Sequence, residues 1–256
     1  MRNTVRALDI IGALVGLGLG APLILIAMST IWLSDRHSPF YVSDRVGLKG
    51  RLFHYLKLRS MKFGSNALRI DTTAAGDPRI TNIGKIVRAT EVDEIPGLWN
   101  VLKGDMSLVG PRPNVSTATN LYTETEVNLL SVKPGMTDLS SIAFYDQAEV
   151  LGAHDDPFLA YNQLMRPLKS RLGLLYVNNK CLALDLRIVW LTILAQFSHR
   201  AALSELAKIV KKLGADEQLC QMIKREAPLL PSAPPGTDEI IQSREHAVFL
   251  SAKDDN

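Results

Sequence analysis

The sequence has few cysteines, few aromatic residues and little net charge. Two of its 256 residues are cysteine, and Cys181 and Cys220 lack the C-x-x-C spacing of a metal site or redox pair. This scarcity excludes a disulfide framework and indicates a reducing compartment. Aromatic side chains make up 6% of the chain, and 29 basic residues stand against 26 acidic ones, a formal charge of +3. The balance excludes a polybasic arm and a disordered acidic tail, so we predict no nucleic-acid partner.

What the sequence does contain is one long apolar run near its N-terminus. Residues 8–33 carry a single ionisable side chain, Asp9, and roughly 20 apolar residues suffice for a helix to cross a bilayer. Pro22 lies near the middle and removes a backbone hydrogen-bond donor, and basic residues flank both ends. Because positive flanks stay on the cytoplasmic side, we predict that residues 1–35 form a re-entrant helix that breaks at Pro22. A kinked single-pass anchor is the alternative.

Glycines recur every four residues within this run, at Gly12, Gly16 and Gly20. They overlap a G-x-G-x-x-A dinucleotide-binding pattern, but the residues that follow lack the polar face of a soluble helix. Small residues at this spacing are typical of a membrane helix that closely approaches another element. We therefore interpret the glycines as a packing face.

Residues 36–112 are rich in basic side chains, with 13 Lys or Arg against 7 Asp or Glu. Two strand-like runs, Phe40–Val46 and Leu52–Leu58, flank a turn bounded by glycines and predict a β-hairpin. Alternation along the second strand places Lys57 and Arg59 on one face, about 7 Å apart, a spacing that suits a diphosphate. A solvated strand face is the alternative for this pair taken alone.

Two adjacent carboxylates, Asp93 and Glu94, follow a short predicted helix that presents Lys85 and Arg88 on its polar side. Pro96 then favours the start of another helix, because proline is common at the first helical position. The two carboxylates would lie just before the positive end of that helix and face the two cations. Capping of the helix N-terminus is the ordinary alternative for this pair.

The segment after that helix reads GDMSLVGPRP and ends at Pro113. Pro111 and Pro113 fix the backbone on both sides of Arg112. A guanidinium on such a stiff loop suits phosphate because it can bind two oxygens at once. Arg112 is therefore a candidate phosphate-binding residue.

Taken in order, these motifs resemble the bacterial sugar transferase family, the monotopic polyprenyl-phosphate phosphoglycosyl transferases. The resemblance covers roughly residues 5–197. It is carried by six segments, KLRSM (57–61), DPRIT (77–81), DEIP (93–96), LWNVLKGDMSLVGPRP (98–113), KPGMT (133–137) and LDLRI (184–188). The fourth segment is long enough to be highly specific.

The resemblance implies a membrane enzyme on the cytoplasmic face of a bacterial inner membrane. It implies that a hexose 1-phosphate passes from a UDP-sugar to undecaprenyl phosphate, with Mg²⁺ as cofactor, to begin a lipid-linked glycan. Asp93 would be the nucleophile and form a covalent aspartyl-phosphosugar intermediate, while Glu94 would hold the metal. Four cations would bind the substrate phosphates: Lys57, Arg59, Arg88 and Arg112.

The chain departs from the family pattern in two places. Ala21 stands where most members have serine before Pro22, so a hydroxyl that would satisfy freed backbone groups is missing. The residues at Asp138 and near Tyr145 also differ, in a segment expected to lie over the nucleotide sugar. The sequence therefore does not name the donor sugar.

The C-terminal third has two helical patterns and a proline-rich end. Residues 182–197 are apolar but too short to span a membrane, which predicts an amphipathic helix at the membrane interface, with a buried core helix as the alternative. Residues 200–226 form a helical extension that would contact a partner, the membrane or the catalytic body. Prolines predict a mostly disordered tail over 227–256.

Together the patterns predict an α+β fold that is mainly helical. We expect a re-entrant membrane helix, a small β-hairpin and a compact cytosolic catalytic domain over residues 36–199, with interfacial amphipathic helices. A different function is also open, that of a membrane-tethered, non-catalytic scaffold that recruits protein partners through its tail.

Overall fold

Helices make up most of the chain. The computed structural model describes residues 2–65 and 76–243. The α-helices in chain order are α1 (Arg2–Asp35), α2 (Asn82–Ala89), α3 (Leu98–Lys103), α4 (Ser116–Thr119), α5 (Glu124–Val127), α6 (Leu139–Ala143), α7 (Gln147–Gly152), α8 (Pro157–Ala160), α9 (Arg166–Asn179), α10 (Leu182–Phe197), α11 (His199–Lys212) and α12 (Glu217–Ile223). The strands are β1 (Phe40–Val46), β2 (Leu52–Leu58), β3 (Ser107–Val109) and β4 (Gly135–Thr137). Shorter turns are the 3₁₀ segments Leu48–Gly50, Val92–Gly97 and Asn128–Ser131 and the π-helical segment Tyr161–Met165. The mainly helical α+β fold is confirmed.

Strands β1 and β2 form the predicted antiparallel hairpin. Phe40 lies opposite Leu58 and Val46 opposite Leu52, so the pairing covers both strands completely. The turn between them bends at Lys49, which has a left-handed backbone (φ +56°), and continues through a glycine. Glycine adopts such positive φ values without steric cost, which explains the glycine at position 50.

A second, parallel strand pair lies beyond the hairpin and was not predicted. Ser107 of β3 lies opposite Gly135 of β4. Past β3, Gly110 and Gly135 meet so closely that a side chain on either would collide with the other strand's backbone. Gly135 N donates to Pro111 O at 3.1 Å, which fixes the loop that carries Arg112.

Helix α1 lies along the body of the protein with its glycine face inward. A Cβ atom built on Gly12, Gly16 or Gly20 would come within 2.5–2.8 Å of a side chain of the body, such as Leu108 Cδ1 at Gly12. The predicted packing face is therefore confirmed. Its partner is the body of the same chain, chiefly α3, β3 and the Val92–Gly97 turn.

Polar contacts also join both ends of α1 to the body. Near the N-terminus, Arg6 donates to two carbonyls at the end of α3, each at 2.6 Å. The buried Asp9 accepts from the Ser107 hydroxyl at 2.8 Å. At the C-terminus, Asp35 accepts two bonds from Arg59, at 2.6 and 2.7 Å. Since the two ends are bound to one body, α1 lies across that body and does not project from it.

The opposite face of α1 is apolar and exposed. Leu19 is 78% exposed and Ile26 63%. Within the described part of the chain, residues Asn3–Asp35 form the one helix that is long and apolar enough to cross a membrane. The helix continues through Pro22 with no non-helical segment, so the structure does not show the expected break as an unwound stretch.

Helices α6, α9, α10, α11 and α12 enclose the main core. Leu172, Ile188 and Leu206, one from each of α9 to α11, have no exposed surface. The apolar face of α11 packs against α10 and α6, so of the three partners expected for this helix the body of the protein is the one observed. Helix α10 has a second apolar face, where Trp190 is 62% and Phe197 85% exposed.

Residues 227–243 depart from the expectation of a disordered tail. They contain neither helix nor strand, yet they lie against the body. Ser232 N donates to Gln163 O at 3.0 Å, and the Gln163 amide donates to Ile241 O at 2.7 Å. Ile241 is buried, so disorder does not extend to this segment. The rest of the predicted tail, 244–256, lies outside the described residues.

Candidate active site

Asp93 and Glu94 lie in the 3₁₀ turn Val92–Gly97, which leads directly into helix α3, so they precede this helix as predicted but are separated from it by the rest of the turn. Glu91, with a left-handed backbone (φ +54°), starts this turn, and Pro96 lies within it. Helix α3 begins only at Leu98. The tight turn places the two neighbouring carboxylates in different surroundings.

Glu94 lies between two cations from different parts of the chain. Lys57 Nζ on β2 donates to Glu94 Oε1 at 2.7 Å. Arg112 Nη1 donates to Oε2 at 3.0 Å, and its Nη2 donates to Oε1. Glu94 was expected to face Lys85 and Arg88, but Lys85 is exposed on α2. The stiff Pro-Arg-Pro loop thus binds a carboxylate of the protein itself.

The charges of Glu94, Arg112 and Lys57 influence one another's pKa values. Burial opposes ionisation of Glu94, but the nearby charges of Arg112 and Lys57 hold the pKa of Glu94 well below its usual range. The carboxylate in turn raises the pKa of Arg112. Burial lowers the pKa of Lys57 despite the opposing charge of Glu94. We infer that Glu94 stays ionised at every physiological pH.

Asp93 has the opposite environment. It is 8% exposed, and within residues 2–65 and 76–243 no group donates a hydrogen bond to its carboxylate. Burial raises the pKa of Asp93 to about 6, against the positive charge of Lys57 and with the negative charge of Glu94. An ionised carboxylate that accepts no hydrogen bond keeps its lone pairs available for attack.

Arg88 lies close to the carboxylates, whereas Arg59 is bound elsewhere. The charge of Arg88 acts on Asp93, and its Nε donates to the Ser60 hydroxyl at 2.8 Å. Arg59 is buried and binds Asp35 together with the carbonyl of Ser38. The structure therefore brings Lys57, Arg88 and Arg112 to the site, and it uses Arg59 to hold the end of α1.

Two further residues belong to this site and were missed. Arg45 of β1 lies close enough to Arg112 that burial and the charge of Arg112 both lower the pKa of Arg45. The ring of Tyr55 lies 5.2 Å from Lys57 Nζ. Both residues are on the predicted hairpin but at least two positions from any motif. The motifs therefore do not indicate that they lie at the site, and only the pairing of the two strands could have done so.

Helix α1 forms the back of the site. Ala27 and Ile31 of α1 pack against Val92 and Leu58 in one buried cluster. Gly20 lies against Ile95 in the turn that carries the carboxylates. The apolar helix and the charged site are thus in direct contact.

A model of the family described as bacterial sugar transferase matches residues 1–199. The chain belongs to this family. The match contains Lys57, Arg88, Asp93, Glu94 and Arg112, and it stops at the first residue of helix α11. This bacterial sugar transferase therefore has an additional C-terminal part that packs on the family body.

Individual relatives agree with the family match. The chain is 34% identical over 203 residues to the exopolysaccharide production protein ExoY of Rhizobium meliloti, covering 73% of this chain and 83% of that protein. It is 37% identical over 140 residues to a UDP-glucose:undecaprenyl-phosphate glucose-1-phosphate transferase of Caulobacter vibrioides, covering 54% and 52%. It is 39% identical over 149 residues to galactosyl transferase CpsE of Streptococcus agalactiae, covering 54% and 33%. The chain spans between a third and half of the length of several of these curated relatives.

The carboxylate pair has the chemistry of a site for a divalent cation. Within the described residues no group of three or more His, Cys, Asp or Glu side chains could hold a metal alone. Mg²⁺ commonly takes one or two carboxylates together with substrate phosphates and water. Glu94 therefore fits an ion that is bound jointly with a phosphate-bearing substrate.

Proposed function

We propose that this bacterial sugar transferase moves a hexose 1-phosphate from a UDP-sugar to undecaprenyl phosphate and so begins a lipid-linked glycan. The observation that carries the proposal is the buried Asp93 carboxylate, which accepts no hydrogen bond from residues 2–65 or 76–243, beside a Glu94 that two cations hold ionised. The name of the Caulobacter relative supports the same classes of donor and acceptor. An exopolysaccharide or capsule is the glycan class that the relatives favour.

The reaction proceeds in two displacements at one phosphorus. An Asp93 oxygen attacks the phosphorus that bears the sugar, and the bond to the second phosphate breaks, so uridine monophosphate leaves with the electron pair. An oxygen of undecaprenyl phosphate then attacks the aspartyl phosphate and releases the carboxylate. Two anionic substrates thus visit the site in turn, which avoids their mutual repulsion.

The cations around Asp93 stabilise charge that develops during both steps. Lys57 and Arg112 have three and five N–H donors, respectively, and Glu94 takes only part of them. The remaining donors are available to phosphate oxygens, and Arg88 adds positive charge. The buried position of the site strengthens each of these interactions.

Glu94 would hold Mg²⁺ beside the donor diphosphate, and Asp93 would stay available for attack. When bound, the ion neutralises negative charge on the leaving phosphate. The protein's part is to keep Glu94 ionised and oriented, which Lys57 and Arg112 do in this structure. Exchange of these contacts for substrate oxygens would free a carboxylate oxygen for the ion.

The position of α1 supports a re-entrant, monotopic arrangement on the cytoplasmic face of the inner membrane. Both ends of the helix bind the same body, through Arg6 and Asp9 at one end and Asp35 at the other. A single-pass helix would carry one of these ends, with its contacts, to the far side of the bilayer. The exposed apolar face would contact lipid.

The test is transfer of label from a panel of UDP-sugars to undecaprenyl phosphate by the purified protein with Mg²⁺. We expect label in the lipid phase, and an aspartyl-phosphosugar mass on the wild-type protein when the acceptor is withheld. Asp93→Asn should lose both, because its amide is not a nucleophile. Turnover at the wild-type rate by this variant would show that Asp93 is not the nucleophile. No transfer across the panel would favour the non-catalytic scaffold.

A further inference from the structure

Tyr55 of β2 is a buried tyrosine whose hydroxyl no part of the proposed reaction uses. The residue is 3% exposed, and within residues 2–65 and 76–243 its hydroxyl neither donates nor accepts a hydrogen bond. A buried tyrosine hydroxyl normally has a partner, because an unpaired polar group destabilises the fold. Among the described residues, the unpaired side-chain polar atoms that are fully enclosed are the hydroxyls of Ser141 and Ser232. The Tyr55 hydroxyl is therefore an unused donor that a ligand can reach.

The phenol end of Tyr55 lies against the turn that carries the two carboxylates. A Cβ atom built on Gly97, the last residue of this turn, would come within 2.7 Å of Tyr55 Cε2, an atom next to the carbon that bears the hydroxyl. The ring centre lies 5.2 Å from Lys57 Nζ, which donates to Glu94 Oε1 at 2.7 Å. The ring itself is held in an apolar cluster with Ala13, Val101 and Met106. Tyr55 is thus fixed with its polar end at the site.

The strand pairing places a second unused group beside this hydroxyl. Ser43 of β1 lies directly opposite Tyr55, so the two side chains are neighbours on one face of the hairpin. Arg45 Nε donates to Ser43 Oγ at 3.2 Å, which brings the guanidinium to the residue that faces Tyr55. In the described part of the chain no carboxylate lies at ion-pair distance from Arg45. The hairpin therefore presents an unpaired hydroxyl next to a cation without a direct counterion.

The chemistry around the hydroxyl suits a phosphate. Burial and the negative charge of Glu94 raise the pKa of Tyr55, so the phenol keeps its proton and remains a donor at neutral pH. The described side chains of the site carry more positive than negative charge: Lys57, Arg45, Arg88 and Arg112 lie with Asp93 and Glu94. Phosphate oxygens accept hydrogen bonds from neutral and from charged donors alike. A phosphate would therefore satisfy the hydroxyl and balance the excess charge.

The position of Tyr55 favours the phosphate that Asp93 attacks. Attack requires the phosphorus to lie about 3–3.5 Å from the carboxylate oxygen, so the transferred phosphate must lie at the Val92–Gly97 turn. Tyr55 lies against this same turn. The side chains of Arg112 and Glu94 are 37% and 24% exposed, so the site is open to a substrate at this point.

We propose that the Tyr55 hydroxyl donates a hydrogen bond to the phosphate that is transferred. The inference rests on the proposed function. The phenol keeps its proton and binds a non-bridging oxygen of this phosphate, first in the UDP-sugar and then in the aspartyl-phosphosugar. Tyr55 therefore contacts the reacting group in both displacements. A residue that binds the leaving nucleotide phosphate would act in the first displacement alone.

The first test compares the affinities of the detergent-solubilised protein for uridine diphosphate and uridine monophosphate, measured by isothermal titration calorimetry with Mg²⁺. Only the diphosphate contains the phosphate that corresponds to the transferred one. Tyr55→Phe keeps the ring, so it should weaken diphosphate binding about tenfold and leave monophosphate binding unchanged. His54→Gln, on the opposite and exposed face of β2, is the matched control and should bind both like wild type. Wild-type affinity of Tyr55→Phe for the diphosphate, or an equal loss for both nucleotides, would overturn the inference.

Single-turnover kinetics then test the contact during the reaction. Without acceptor, the aspartyl-phosphosugar should form about tenfold or more slowly in Tyr55→Phe than in wild type. Its discharge by added undecaprenyl phosphate should slow to a similar degree, because the same oxygen is bound in both displacements. A loss confined to formation would assign the hydroxyl to the leaving nucleotide phosphate, and one confined to discharge would assign it to the acceptor. Either result would overturn the inference.

Denaturant titration separates substrate binding from a structural role. Because Tyr55→Phe removes an unpaired buried hydroxyl, its stability should equal or exceed that of wild type while its diphosphate affinity falls. A loss of stability together with the loss of affinity would make Tyr55 a structural residue and overturn the inference. If wild type binds uridine diphosphate but transfers no sugar, the proposed reaction fails, while the comparison of the two nucleotides still decides about the hydroxyl. If wild type does not bind the diphosphate, both fail.

Discussion

Asp93 and Glu94 are adjacent in sequence, but their ionised forms differ in how they affect the stability of the folded protein. Glu94 is stabilised as an anion by two bound cations. Asp93 is buried and receives no hydrogen bond from the described part of the chain, and its raised pKa means that folding disfavours its ionised form. Neighbouring carboxylates with opposite environments are the arrangement expected where one is a reactive group and the other an orienting group.

This contrast predicts opposite effects of two isosteric substitutions on stability. Glu94→Gln leaves Lys57 and Arg112 together without their counterion, and we expect a loss of roughly 2 kcal/mol or more, allowing for the partial exposure of Arg112. Asp93→Asn removes a disfavoured charge and should leave the free energy of unfolding unchanged or raised at pH 8. Denaturant titration in detergent checks both. Equal losses in the two variants would contradict this account.

At the scale of single residues, the sequence predicted which side chains lie at the site better than it predicted which residues they bind. Arg112 and Lys57 were expected to meet phosphate, and they do lie beside the carboxylates, but their contacts with Glu94 join residues 18 and 37 positions apart. Arg59 was misplaced because β2 ends at Leu58, after which the alternation that put it beside Lys57 no longer holds. The alternation of side chains along a strand does not show at which residue the strand ends.

At the scale of elements, helix α1 was predictable in length and composition, and so was its glycine face. The identity of the packing partner was not, because spacing alone does not distinguish another membrane helix from the body of the same protein. Strands β3 and β4 were missed for a different reason, since three residues are too few to show alternation. Their pairing depends on Gly110 and Gly135, whose close approach is a long-range contact.

Two glycines of α1 provide a matched test of that packing. A Cβ on Gly16 would lie 2.6 Å from Leu98 Cδ1, whereas nothing lies within 4 Å of one on Gly18. Gly16→Leu should therefore lower stability by about 1–3 kcal/mol through overpacking and reduce transfer activity. Gly18→Leu should do neither. Thermal unfolding in detergent compares them, and a similar effect at both positions would show that α1 does not pack as described.

At the scale of the whole molecule, the contacts at both ends of α1 predict membrane topology. In a Cys181→Ser background, which removes the exposed native thiol, single cysteines at Asn3→Cys and Lys49→Cys report the two flanks. Because both flanks bind one body, an impermeant thiol reagent should label both in inverted membrane vesicles and neither in intact cells. Labelling from opposite sides would establish a single-pass anchor.

The order of residues 227–243 is a feature that amino-acid composition alone does not predict. Four prolines predict disorder, yet residues 227–243 are held by hydrogen bonds to the backbone and side chain of Gln163. Proline disfavours helix and strand, but it does not prevent an extended segment from binding a complementary surface. Helix α11, in the C-terminal extension, was predictable because its apolar positions follow a helical period.

The position of α1 behind the Val92–Gly97 turn gives the helix a second role besides attachment. If the segment were cut away to obtain a water-soluble enzyme, Val92 and Leu58 would lose the side chains of Ala27 and Ile31 that cover them. The floor beneath Asp93, the proposed nucleophile, would then face solvent. Under the proposed function, the apolar surface that would contact lipid and the cover beneath the carboxylates belong to the same stretch of chain.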